Sequence, residues 1–136
     1  MPKVPESAGD RPPLERPLWN TWRQKRHAQL WMAVLLSMNI QPRRTTEKIL
    51  KESYPEEFEL FGRRLSYLSA NYGHHPRLPK REHRMAGKKP REQVVFLVDF
   101  CTYVKAEVDS GADGWTDVEP LFTGLQYQPT AQAAAN

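Results

Sequence analysis

Cysteine is nearly missing from this chain. Cys101 stands alone among 136 residues, which excludes an intrachain disulfide and any Cys-x-x-Cys pair. A lone thiol suits a reducing compartment better than a secreted protein. Long apolar runs are missing as well. The longest, Leu30 to Leu36, is far short of the ~20 residues needed to cross a bilayer. The opening stretch MPKVPESAGDRPPLERP has no apolar segment of the kind a signal peptide carries. These gaps predict a cytoplasmic protein that does not enter a membrane. GxGxxG, P-loop and GxSxG signatures are also lacking. His74, His75, His83 and Cys101 are ligand types, but their spacing matches no zinc pattern. Cys101 falls on an expected apolar helix face, as a small core residue does. The expectation is a protein that is not an enzyme and needs neither metal nor cofactor.

Positive charge is almost missing from the end of the chain. Nineteen cations and nine acids precede residue 92, a net +10, whereas one cation (Lys105) and seven acids follow, a net −6. The formal +4 therefore conceals a dipolar protein. Charge gathered in this way attracts polyanions, whereas the same charge spread evenly would only aid solubility. The densest part, His74 to Arg91, sets seven Lys and Arg against the single acid Glu82. Lys and Arg neutralise phosphates and release counterions. Arg77, Lys80, Arg81, Arg84, Lys88, Lys89 and Arg91 are accordingly the leading candidates for nucleic-acid contact. Arg23, Lys25 and Arg26 before the first apolar stretch, and Arg43 and Arg44 after it, extend the candidate face. Trp19 and Trp22 lie beside these cations and are candidates for partner contact, since Trp is common at hot spots and stacks on bases. The competing reading makes the loop a solvated linker and Arg63 and Arg64 the wet side of a helix.

Hydrophobic residues cluster in Leu18 to Tyr72 and Val94 to Phe122. Five prolines in residues 1–17 predict a disordered arm, and 126–136 reads as a flexible tail. The helical domain is expected over 18–125, with 74–91 as a basic loop. Leu30, Trp31, Val34, Leu35 and Met38 have helical spacing. Leu18 to Asn39 is thus one long helix, or two short ones meeting near His27. Arg43 to Ser53 reads as a short helix with Thr45 or Thr46 as cap and Ile49 and Leu50 inward. Pro55 and the acids after it open a second long helix, along which Phe58, Phe61, Leu65, Leu68 and Tyr72 recur by threes and fours; Gly73 ends it. Val94 to Leu97 is a short strand or a helix entry, with no obvious strand to pair with. Asp99 then opens a helix bearing Phe100, Cys101, Val104 and Val108. The fold expected is mainly α, one small domain of four or five helices. Its centre is two long antiparallel helices, with Trp31, Met38, Leu35, Phe58, Phe61, Leu65, Leu68, Phe100, Val104 and Trp115 in the core.

Three runs, LWMAVLLSMNIQP, PEEFELFGRRLSYLSANY and VVFLVDFCTYVK, resemble a pattern found in small uncharacterised helical proteins of proteobacteria and their mobile elements. The matching positions are Trp31, Ala33, Leu35, Ser37, Ile40 and Pro42, then Phe58, Arg64 and Leu65, then Val95, Leu97, Asp99, Phe100 and Tyr103. Tyr103 stands where Trp is more usual. The resemblance covers residues 19 to 104. It implies an all-helical fold and a phage or integrative-element origin, and it carries no catalytic residues.

The function these features point to is non-enzymatic binding of DNA or RNA through phosphate contacts. No helix-turn-helix signature announces base reading. The alternative is a phage or mobile-element protein that binds and inhibits or adapts a host protein. Its basic half would dock on an acidic surface, or its acidic Asp109, Asp113, Asp117 and Glu119 would fill a groove meant for nucleic acid.

Overall fold

The computed structural model describes residues 13–80 and 82–128. The arm at 1–12, the tail at 129–136 and Arg81 lie outside the described residues.

Helix α1 is Trp19–Lys25, and Arg26 closes it in the left-handed region at φ 68°. That conformation turns the chain, because residues with a Cβ rarely continue from it. His27–Gln29 then extends as strand β1, and helix α2, Leu30–Ser37, starts immediately after it. Leu18 to Asn39 is therefore two helices meeting at His27, with a strand at the joint. The joint supplies a partner for β2, Val94–Phe96, which was expected to have none. The strands are antiparallel, with His27 opposite Phe96, Ala28 opposite Val95 and Gln29 opposite Val94. A segment of three residues is too short to show a two-residue period, so it was hidden in a helical pattern.

Helix α2 is apolar on nearly every side, and all of it but Trp31 is buried. Such a helix must be covered all round. Helix α3 is Glu47–Ser53. The Thr46 hydroxyl caps it by accepting from the Ile49 amide at 3.4 Å. Leu50 faces inward but Ile49 is exposed, a correction to the expected pair. Consecutive helix positions point about 100° apart, so only one of them reaches the body. Helix α4, Pro55–Asn71, has proline in its first turn with Glu56 and Glu57. Phe61 and Leu68 are buried on it, and Phe58 and Leu65 pack at the edge. Gly73, at φ 80°, takes the chain out of α4. Helix α5 is Leu97–Asp109 and helix α6 is Glu119–Leu125.

Around α2 lie α4, β1, the 3-10 turn at Pro90–Glu92 and α6, while α3 packs on α4 and α1 on α6. The architecture is mainly α. The six helices among the described residues exceed the expected count because the first region divides at His27. The central helix is the short α2 rather than a pair of long ones. Trp31 and Met38 sit at the core's edge, not inside it.

Three polar features tie distant segments to this core. The Gln41 side-chain oxygen accepts from the Leu18 amide at 2.7 Å and the Trp22 indole at 3.2 Å. The Gln41 amide donates to the Glu15 carbonyl at 2.8 Å, so residues 13–17 join the body instead of the arm. Arg64 is the larger correction. It was placed on the wet side of α4, yet it is 1% exposed. Its guanidinium donates to the carbonyls of Gly114 (2.9 Å), Ser37 (3.1 Å) and Thr116, and lies 5.3 Å from the Trp115 ring centre. Burial brings its pKa down to about 10, against the opposing pull of Asp117.

Candidate nucleic-acid interface

The basic loop is not a free linker. Leu78 is fully buried, and its carbonyl accepts from the Gly73 amide at 2.8 Å. Further along, the His83 ring packs on His27 with centroids 4.2 Å apart. The Gln29 side chain donates to the Met85 carbonyl at 3.1 Å, and Gln93 donates to the Gly87 carbonyl at 3.1 Å. The reason lies in the two-residue period of a strand. Ala28 points into the core, so His27 and Gln29 both point outward and meet the loop. The loop thus lies along the outer face of the β1–β2 ladder. Of the partners on that face, Val94 is fully buried and Phe96 is left 36% exposed.

At the His27–Phe96 end opens a groove of about 750 Å³ between α1, the loop, the start of α5 and the end of α6. Its rim carries Arg23, Lys25, Arg26, His27 and His83. Its floor is apolar, with Phe96, Val98 and Tyr127 among the lining side chains. Val98 is 58% exposed. Among the described residues, no Asp or Glu lines the groove. Several contacts fix the rim. Arg23 donates to the Gly124 carbonyl and to Asn20. Lys25 sits 5.2 Å from the Trp22 ring centre. The Arg26 carbonyl accepts from the Leu97 amide at 2.9 Å, which locks the rim to the floor. Tyr127 is held by the Thr102 hydroxyl at 3.1 Å and by the Phe122 ring at 5.7 Å. The described start of the expected flexible tail is therefore packed. His27 titrates below its ordinary 6.5, first because it is partly buried, then because His83, Lys25 and Arg84 are positive. The Lys25 carbonyl, bonded to the His27 ring, opposes that shift. Arg84 is not among the groove's lining residues and adds the smallest of these repulsions.

The remaining candidates are dispersed. Arg77, Lys80, Lys88 and Lys89 are exposed but do not line this groove. Lys89 and Arg91 border a second recess of about 430 Å³, which also holds Glu47 and Glu92. Arg91 pairs with Glu47 and lies 5.8 Å from the Phe61 ring centre. Its charge is paired with that of Glu47 in the fold. Arg43 and Arg44 are exposed between α2 and α3 and stand outside the groove, with Arg44 3.9 Å from Glu15.

The two tryptophans meant for a partner are occupied within the fold. Trp22 is 3% exposed and belongs to the core. Trp19 is half-buried with its ring against Gly124, where an added Cβ would stand 2.2 Å from a ring carbon. Both hold α1 to the body. Conversely, Phe96, Val98 and Tyr127 were not singled out by sequence. The available signal was Phe96 itself, which must point away from the core once Val95 points in.

Cys101 is among the groove's lining residues, and burial drives its thiol up to about 12. Among the described residues no three His, Cys, Asp or Glu side chains converge as a metal site requires, and no helix is long and apolar enough to cross a membrane. Comparison with protein-family models, curated proteins and solved structures finds no match.

Proposed function

We propose that this protein is a non-enzymatic nucleic-acid binder whose ligand lies in the groove beside the β1–β2 ladder. The observation that supports this reading is a cluster of cations with no carboxylate among the described residues that line the groove. Positive charge gathered around a concavity raises the local concentration of anions and attracts a phosphate backbone. The footprint differs from the sequence expectation. Arg23, Lys25 and Arg26 are its centre, and the loop cations act at longer range.

The test is fluorescence anisotropy with a labelled oligonucleotide, from about 50 to about 200 mM salt. Wild-type protein binds at low salt and releases steeply as salt rises. Replacing Lys25 and Arg26 together with Ala weakens binding and flattens the salt slope by about 0.7–0.9 for each phosphate contact removed. Arg43→Ala with Arg44→Ala changes it little. Absence of binding at the lowest salt, or equal effects of the two sets, refutes the proposal.

A further inference from the structure

We infer that the His27–His83 pair is a proton-linked phosphate contact: the groove takes up a proton with its nucleic-acid ligand and holds that ligand more tightly as pH falls. The inference rests on the nucleic-acid reading above. Both rings line the groove, with centroids 4.2 Å apart. Their hydrogen bonds fix the state of the ligand-free pair. A carbonyl only accepts, so the His27 Nδ1 that meets the Lys25 carbonyl at 2.8 Å carries a hydrogen. An amide only donates, so the His83 Nδ1 that meets the Met85 amide at 3.0 Å carries a lone pair. His83 is therefore neutral in this arrangement. Two imidazolium rings in contact would repel each other, so the protons belong to the pair and come on in steps. The neighbours reinforce this. Helix α1 sets Arg23, Lys25 and Arg26 around the rings, and Arg84 acts from the loop. Cys101 of α5 and Tyr127 after α6 are the other ionisable groups among the described lining residues. Partial burial, then the charges of His83, Lys25 and Arg84, hold His27 below its ordinary 6.5. A bound phosphate places negative charge beside the pair and opposes those repulsions, so the complex binds a proton more readily than the free protein does. Linkage is reciprocal: a ligand that favours protonation is itself favoured by it. Affinity is therefore lowest at high pH. It rises as pH falls through the value of the complex, and levels off below the value of the free protein.

The experiment measures the affinity of the full chain for labelled oligothymidine, whose bases do not titrate in this range, at one low salt concentration from about pH 8 to about pH 5.5. Wild-type affinity is expected to rise about fivefold or more across the range, and no more steeply than about tenfold per pH unit for each proton taken up. The double variant His27→Gln with His83→Gln is expected to cut that rise to about twofold or less. The readout is the ratio of affinities at the two ends of the range, which a loss of binding strength alone does not move. Should the double variant prove unfolded by circular dichroism, calorimetry of the wild type in two buffers of different ionisation enthalpy decides instead. About half a proton or more is expected to be taken up on binding near pH 6, and less in His27→Gln. Binding with no pH dependence, no proton uptake, or a rise that survives the double variant overturns this inference and leaves the phosphate reading intact. Absence of binding at every pH overturns both.

Discussion

The His83 ring rests on the His27 ring with centroids 4.2 Å apart, and this contact brings the basic loop against the first strand. His27 keeps a pKa below its ordinary 6.5, because it is partly buried and has positive neighbours in His83, Lys25 and Arg84. In the unfolded chain it returns to its ordinary value. The unfolded state therefore takes up a proton first as pH falls. The associated stability is intact above 6.5 and is lost as pH drops through 6.5 toward the lower folded value. The expected outcome is a falling thermal midpoint across that window, with a shallower fall in His27→Gln. Parallel pH profiles for the two proteins, read by circular dichroism, contradict this.

Arg64 joins three chain segments from inside the core, through the carbonyls of Ser37, Gly114 and Thr116. Arg64→Ala leaves those acceptors buried and without this donor, at a cost of about 3 kcal/mol. Arg64→Lys is expected to recover little, because a point charge cannot reproduce a planar fork with several donors. Urea unfolding checks this. A loss under about 1 kcal/mol for Arg64→Ala would place the network outside the stability of the fold.

Gly124 is where α6 meets Trp19, and a methyl group there collides with the indole. Gly124→Ala is expected to push Trp19 outward and loosen α1, costing about 1–3 kcal/mol as overpacking does. It also disturbs the Arg23 contact to the Gly124 carbonyl, so oligonucleotide binding weakens with it. A red-shifted Trp emission together with a lower midpoint is the expected signature. Unchanged emission argues against it.

Cys101 is buried, with its thiol driven up to about 12. Thiolate is the reactive form, so the folded protein is expected to resist a thiol reagent at neutral pH and to react after denaturant is added. Rapid stoichiometric labelling of the native protein would contradict the core assignment.

Much of the helical framework was legible in advance. The α4 stripe of Phe58, Phe61, Leu65 and Leu68 carries its own period, and Pro55 and Gly73 carry its ends, since φ preferences are properties of single residues. The strand pair was not legible, because β1 is three residues long and its partner lies in a distant part of the chain. Arg64 looked like any other helix cation. Its burial depends on where carbonyls of the 114–116 loop arrive, and no local pattern records that. The tryptophans pointed the wrong way for a similar reason: Trp19 and Trp22 sit beside cations in sequence, but α6 and Gln41 reach them in space.

Composition and periodicity alone determined that the chain is mainly helical, cannot form an intrachain disulfide and carries all but one of its Lys and Arg ahead of residue 92. These are sums over residues or short-range regularities, so they hold wherever the elements pack. Which cations face one concavity, which are already matched by a carboxylate and which aromatic remains exposed were decided only by tertiary structure. Each depends on residues far apart in the chain meeting at hydrogen-bond or van der Waals distance, and the β1–β2 ladder is what brings them there.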